Sequence, residues 1–398
     1  MYFFVSHLLF LINNKNHLIE DFFGLKLNAL KLVNSFGFFV AIAFVASGYV
    51  LYSELKRKEK LGEFFASDES ILVGAPATLS ELLTNFLFGF VFGYKIIGAF
   101  TIDNALNNTQ AFILSLQGNT GAGILVGALM AYLKWKEKDK VKLAKPEMKT
   151  FKVWPHDRVG DVVLQAALWG FLGAKIFHNL ENLSDFSRDP IGALISFSGL
   201  TFFGGLILAT IAVIVYIRKY KISVIHFADA MAPTMLFAYA AGRIGCQISG
   251  DGDWGIVNVN PKPFAWLPDW MWAYTYPHNV VNEGVQIPGC VGNYCNQLPL
   301  PVYPTAFYEI VAMFILFLIM WMMRKRITQP GVLTGMYFIF AGGERFLIEQ
   351  IRVNNKYMDL PFQPTQAEII SVVLLLLGII FLIKSKHWFP KKNLNNHS

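Results

Sequence analysis

Nine stretches, each close to the ~20 apolar residues that a membrane-spanning helix needs, run along this chain, and every odd one ends in a basic cluster. They fall at 35–54, 81–100, 118–135, 160–179, 199–217, 224–244, 304–323, 331–351 and 367–385. Backbone in a bilayer must satisfy its own hydrogen bonds, so such segments are helices. Lys56-Arg57-Lys58-Glu59-Lys60 follows the first, and a lysine run from Lys134 to Lys152 follows the third. Arg218-Lys219-Tyr220-Lys221 follows the fifth, Arg324-Lys325-Arg326 the seventh, and Lys384, Lys386, Lys391 and Lys392 the ninth. Loops rich in Lys and Arg stay in the cytoplasm. The expectation is an all-α polytopic membrane protein with nine transmembrane helices, its N-terminus outside and its C-terminus cytoplasmic. One span more or fewer would break the alternation.

Composition agrees. Only 15% of the 398 residues are charged, against about a quarter in soluble domains. The net charge of +7 calls for no nucleic acid, because the lysines and arginines belong to cytoplasmic loops. Met1–Ile12 is apolar but lacks a basic leader and a small-residue cleavage site, so it does not read as a cleaved signal peptide. Residues 1–32 alternate apolar and charged side chains at helical spacing, which fits an amphipathic helix on the outer interface. Residues 387–398 form a cytoplasmic tail. The long external loop, 250–302, carries Trp254, Trp266, Trp270, Trp272, Tyr274 and Tyr276 and is expected to cap the outer side as an interfacial belt. Cys290 and Cys295 lie in it. In an oxidising compartment they are placed to form a disulfide, the alternative being two free thiols.

With sidedness set, charge gathers at one depth. Arg243 ends the sixth span, Glu309 starts the seventh, and Arg345, Glu349 and Arg352 end the eighth, all on the outside. The last three share a helix face at i, i+4 and i+7. An intramembrane arginine is costly without an anion. Glu309 or Asp251 would supply one within a structural network. A phosphate would also do so, since the guanidinium fork suits it. These residues alone favour neither reading.

Gly204 and Gly205, at the outer start of the fifth span, either allow close helix packing or let backbone approach a ligand. Asp229, near Pro233, is expected to hydrogen-bond at a helix break. Lys95 and Lys175 are expected to snorkel towards the outer interface. Asp251 and Asp253 lack the remaining ligands of a calcium loop, and no metal site is expected. Cys246 reads as a small buried side chain rather than a nucleophile.

The segments just named resemble the bacterial phosphatidylglycerol–prolipoprotein diacylglyceryl transferase family. Gly242-Arg243-Ile244-Gly245 through Ser249-Gly250-Asp251 is similar to its Gly-Arg-x-Gly-Asn-x-x-Asn-Gly-Glu signature. Phe202-Phe203-Gly204-Gly205-Leu206-Ile207 resembles its Ser-Phe-His-Gly-Gly-Leu-Ile, and Tyr303-Pro304-Thr305-Ala306-Phe307-Tyr308-Glu309 its His-Pro-Ser-Gln-Leu-Tyr-Glu. Arg345-Phe346-Leu347-Ile348-Glu349 with Arg352 resembles its Arg-Phe-x-x-Glu-x-x-Arg, and Asp229-Ala230-Met231-Ala232-Pro233 and Phe36-Gly37 also fit. The resemblance covers about 33–55 and 159–386. Within the transmembrane domain, 33–386, it implies a seven-helix core with an inserted hairpin and basic loop at 81–158.

What the resemblance implies is a transferase of the cytoplasmic (inner) membrane, acting in lipoprotein biosynthesis without a cofactor. It moves the diacylglyceryl group of phosphatidylglycerol to the lipobox cysteine of a prolipoprotein, with release of glycerol phosphate. Arg243 and Arg345 are expected on the phosphate, with Arg352 a third. Glu349 orients Arg345 or takes a proton, Glu309 and Asp251 position the arginines, and Gly204 and Gly205 are carried as substrate contacts. The chain departs from the pattern where the family has histidine: Phe203 and Tyr303 stand there. Cys246 stands for an asparagine and Asp251 for a glutamate. With those histidines absent, the positive field itself is expected to lower the thiol pKa. A transporter or flippase for an anionic lipid, using the same arginines, is the alternative. A partner-binding scaffold leaves the arginines unexplained.

Overall fold

The computed structural model describes residues 36–102, 105, 112–113, 115–195, 201–290, 294–354, 356–358 and 362–390. The amphipathic segment expected at 1–32 and the tail beyond 390 lie outside the described residues. Helices stand at all nine expected places: α1 (Phe36–Lys60), α2 (Leu79–Phe92), α3 (Thr120–Lys140), α4 (Val159–Glu181), α5 (Phe202–Lys219), α6 (Val224–Ser249), α7 (Thr305–Met323), α8 (Val332–Glu349) and α9 (Gln366–Trp388). A π-helical turn, Gly93–Ile97, carries α2 on to Thr101.

Among the described residues, seven helices are long and apolar enough to cross a membrane. The other two, α3 and α8, are as long but more charged. Lys134, Lys136 and Glu137 interrupt α3, and Glu344, Arg345 and Glu349 interrupt α8. The chain is a mostly helical, multi-pass membrane protein.

The all-α expectation needs correction. Ser67–Val73 (β1) and Glu147–Val153 (β2) form an antiparallel ribbon in register from Ser67–Val153 to Val73–Glu147. Cross-strand neighbours explain it: Asp68 faces Lys152, Leu72 faces Met148, and Ser70 bonds Thr150 at 3.2 Å. The ribbon brings Ser67 and Val153 side by side, so everything between them leaves and rejoins the helical body at one point. Within it, α2 packs on α3 through glycines: a Cβ at Gly89 would lie 2.8 Å from the Val126 carbonyl oxygen, and one at Gly127 2.8 Å from that of Phe86.

The body is built around α6, which packs on α1, α7 and α8, with α9 against α8 and α5 against α4. Leu236, Ala240, Met313, Phe317, Met320 and Leu333 form the core between α6, α7 and α8. Asp229, 2% exposed, accepts from the Gly331 and Thr334 backbone N–H groups at 2.8 and 2.9 Å and from the Thr334 hydroxyl at 2.7 Å. It therefore caps α8 from a neighbouring helix. The basic clusters after α1 and α7 are also joined: fully buried Glu54 pairs with Arg57 at 2.6 Å and Arg324 at 2.7 Å.

Two lysines do not snorkel as expected. Lys95 donates to the carbonyls of Phe112, Ser115 and Gln117, closing the segment before α3. Lys175 is buried within α4.

Of the two readings left open for Gly204 and Gly205, close helix packing is seen. Both glycines are buried against α4, where a Cβ at Gly204 would lie 2.7 Å from the Gly173 carbonyl oxygen and one at Gly205 2.8 Å from that of Gly170. The missing side chains are what lets the two backbones meet. Gly204→Ala is expected to cost about 1–3 kcal/mol through overpacking, read as a lower thermal midpoint in detergent. An unchanged midpoint contradicts this packing.

Candidate active site

Four pieces of chain bring charge to one end of the α6–α7–α8 core. Arg243 lies one turn beyond Ala240 on α6, and Glu309 one turn before Met313 on α7. Arg345 and Glu349 end α8, and Arg352 follows. The fourth piece is the loop after α6. Gly250 ends that helix in the left-handed conformation, φ 60°, which glycine adopts without a Cβ penalty. The chain then runs as an extended segment between α7 and α8: Gly255 N–H donates to Tyr303 O at 2.9 Å, and Ile256 N–H to Ile351 O at 2.8 Å. Only a glycine fits at 255, since a Cβ there would lie 2.9 Å from Tyr303 Cβ. The loop beyond has its own core of Trp254, Tyr276, Leu298 and Val302. A short ribbon, Val285–Gln286 with Asn296–Gln297, and the Cys290–Cys295 disulfide close it. Trp254 and Tyr276 are thus buried in a folded cap rather than spread along an interface.

Glu309 is the hub. It is fully buried, and three arginines converge on it: Arg243 at 2.7 Å, Arg345 at 3.3 Å and Arg352 at 3.5 Å. Tyr239, one turn before Arg243, accepts from that guanidinium at 3.0 Å and donates to Glu309 at 3.2 Å. Asp253 bridges Arg243 and Arg352. Glu349 pairs with Arg345 at 3.0 Å and accepts from Asn354 at 2.7 Å. Arg345 has the most exposed side chain of the three arginines, 24% against 16% for Arg243 and 8% for Arg352.

The expected residues therefore meet, except the glycines and Asp251. The loop carboxylate bonded to the arginines is Asp253. Asp251 instead accepts from the Asp253 N–H at 3.4 Å, because the turn through Gly250 and Gly252 points residue 253 at the cluster. Sequence reading missed Tyr239 and Asp253. Tyr239 was within reach of the i, i+4 rule, whereas choosing between the two aspartates needed the turn. Cys246 is buried, 3.7 Å from Arg243. Cys246, Asp251 and Asp253 place ligand-type atoms within 4.8 Å of one another, but Asp253 is committed to two arginines whose charges oppose a cation.

Burial raises the Asp251 pKa, and the neighbouring Asp253 charge raises it further. Burial acts on Asp253 in the same sense, but Arg243 and Arg352 outweigh it and hold its pKa below the usual value. A lowered carboxylate pKa stabilises the fold fully above the unfolded value, about 3.9 for Asp. That contribution is lost as pH falls through the folded value. Asp253→Asn is therefore expected to flatten the acid side of a melting profile taken from about pH 7 to about pH 3. An unchanged acid limb contradicts the assignment.

Glu344, the residue before Arg345, is only 9% exposed, and neither of its carboxyl oxygens has a hydrogen-bond partner. At the positions where the resembled family has histidine, Phe203 offers no titratable group. The Tyr303 hydroxyl accepts from Asn260 at 3.1 Å.

Comparison with known proteins gives a consistent result. A family model described as prolipoprotein diacylglyceryl transferase matches residues 119–384, which hold every residue of the cluster. Proteins named phosphatidylglycerol–prolipoprotein diacylglyceryl transferase are similar over part of the chain. The one from Leptospira interrogans is 26% identical over 229 residues, 51% of this chain and 64% of its own length. That from Dehalococcoides mccartyi is 28% identical over 56% of this chain and 76% of its own. That from Corynebacterium efficiens is 30% identical over 56% and 68%. The chain thus spans less than two thirds of the Leptospira relative's length. With a family model covering more than half of the chain and the whole arginine cluster, the chain belongs to the prolipoprotein diacylglyceryl transferase family.

Proposed function

We propose that this protein transfers the diacylglyceryl group of phosphatidylglycerol to the lipobox cysteine of a prolipoprotein, as its relatives are named for doing. The observation that carries the reading is the convergence of Arg243, Arg345 and Arg352 on Glu309, inside the matched residues. An ion set this dense, at the end of membrane helices, holds guanidinium groups in place for a phosphodiester. Preorganised donors stabilise charge as it develops on a leaving group.

The cysteine sulfur attacks the glyceryl carbon that carries the phosphate oxygen. The C–O bond breaks, and glycerol phosphate leaves with its charge on the arginines. Arg345, the most open of the three, meets the phosphate first, held by Glu349. Arg243 lies deeper, fixed by Glu309, Asp253 and Tyr239. Arg352 ties the external loop to the cluster. Asp251 shapes the turn that presents Asp253.

The basic clusters support nine spans, an outer N-terminus and an inner C-terminus. The cluster then lies at the outer leaflet of a bacterial cytoplasmic membrane, where both the lipid and an exported lipobox are found. The ribbon-closed unit from Ser67 to Val153 supports the reading of α2–α3 as a hairpin set beside a seven-helix core, while the family match, which starts at residue 119, takes in α3.

Purified protein incubated with phosphatidylglycerol and a lipobox peptide is expected to add one diacylglyceryl mass to the peptide. No mass gain, together with movement of labelled phosphatidylglycerol across proteoliposomes, would instead establish a flippase.

A further inference from the structure

Among the described residues, Glu344 stands out as a buried carboxyl group left out of the ion network. Buried polar groups are normally satisfied, so a residue only 9% exposed, with both carboxyl oxygens buried and unpartnered, points to a ligand or a proton in transit. Helical spacing places it. Tyr337, Phe340 and Ala341 of α8 pack on the core cluster of Leu236, Ala240 and Met313. Glu344 follows them at i+7, i+4 and i+3, on the same face. Glu309 stands one turn before Met313, and Arg243 one turn beyond Ala240. All three side chains therefore sit just past one apolar cluster, contributed by three helices. Both carboxyl oxygens of Glu344 are left without a bond to Glu309, Arg243, Arg345 or Arg352.

The carboxylates bonded to the arginines are already engaged, and Asp251 accepts from the Asp253 N–H within its own turn. Glu309 holds three arginines, Asp253 two, and Glu349 holds Arg345. This also offsets the positive field expected to ionise the thiol unaided. A proton acceptor is then required, and Phe203 cannot be one.

We infer that Glu344 is the proton carrier of the transfer, taking the proton of the incoming thiol and delivering it to the phosphate oxygen that leaves. The inference rests on the transferase reading. The S–H bond breaks and its proton passes to a Glu344 carboxylate oxygen. The sulfur lone pair forms the S–C bond, and the C–O pair stays on the phosphate oxygen. The proton on Glu344 then moves to that oxygen, releasing glycerol phosphate and restoring the carboxylate. The charged and titratable groups around it are Tyr239 and Arg243 from α6, Glu309 from α7, and Arg345 and Arg352 at the end of α8.

The test compares two lipobox peptides, one with cysteine and one with selenocysteine as acceptor, on the purified full chain with phosphatidylglycerol in detergent. A selenol is already ionised near neutral pH and needs no base. For the wild type, the rate is expected to fall on the acid side with cysteine and to stay flat with selenocysteine. Glu344→Gln is expected to lower kcat for the cysteine peptide at least ~100-fold, leave KM for phosphatidylglycerol unchanged, and recover to within about tenfold of wild type with selenocysteine. Glu344→Asp keeps an acid and falls between.

Equal losses on both peptides, or a wild-type rate for Glu344→Gln on cysteine, overturn the assignment. If Glu344→Gln does not fold, the wild-type profiles decide, and an acid limb that persists with selenocysteine overturns it. Absence of transfer to either peptide by the wild type overturns the transferase reading itself, and this inference with it.

Discussion

Glu309→Ala is expected to destabilise the fold by about 3–5 kcal/mol, the cost of removing one partner from a buried ion set. Glu309 is fully buried and paired to three arginines from two helix ends and a following turn. Without it, Asp253 still serves Arg243 and Arg352, and Glu349 still serves Arg345. Two carboxylates then face three guanidinium groups in a site largely closed to water. That surplus charge, rather than a lost bond, is what costs.

Glu309→Gln keeps an acceptor without the charge and is expected to fall between wild type and Glu309→Ala in thermal midpoint. Arg352→Met, being the least exposed arginine removed, is expected to recover part of the loss when combined with Glu309→Ala. Contacting residues couple in this way, by about 0.5–3 kcal/mol. Equal midpoints for Glu309→Ala and the wild type contradict the hub assignment.

The same physics sets what the sequence disclosed. Helix positions were legible because a bilayer forces long apolar runs, and all nine expected places carry a helix. Arg243, Glu309 and Arg345 were legible because helical spacing and basic flanks put them at one end, whereas Arg352, expected on the same helix face, lies past the helix end in the turn that bridges to Gly255. Asp253 was not, because a turn through two left-handed glycines, Gly250 and Gly252, decides which aspartate faces inward. The β1–β2 ribbon was hidden by its own polarity. Glu147-Met148-Lys149-Thr150-Phe151-Lys152-Val153 reads as a basic loop until Ser67–Val73 is paired with it.

Glu344 was hidden by adjacency. Glu344-Arg345 looks like an ion pair on paper, but successive residues on a helix do not face each other. For Gly204 and Gly205 the sequence left packing and substrate contact both open. A glycine pair beside a candidate site invites a substrate role, whereas a helix backbone at contact distance explains both.

If the protein carries out the proposed transfer, Arg345→Ala is expected to lower its kcat about 10²–10³-fold, the loss typical of removing one donor from a preorganised charge-stabilising site. Its smaller effect on stability makes it the clean test. Arg345 is the most exposed arginine of the cluster, and Glu309 keeps Arg243 and Arg352 when it is gone. Arg345→Lys keeps the charge but loses the planar fork that lets one side chain reach Glu309, Glu349 and a phosphate together. It is expected to recover only part of the rate. The two variants separate charge from geometry: near-wild-type turnover by lysine makes Arg345 a point charge, whereas poor turnover by both makes the fork essential. Wild-type turnover by Arg345→Ala, in a protein melting like the parent, removes Arg345 from the proposed phosphate site and leaves Arg243 to act without it.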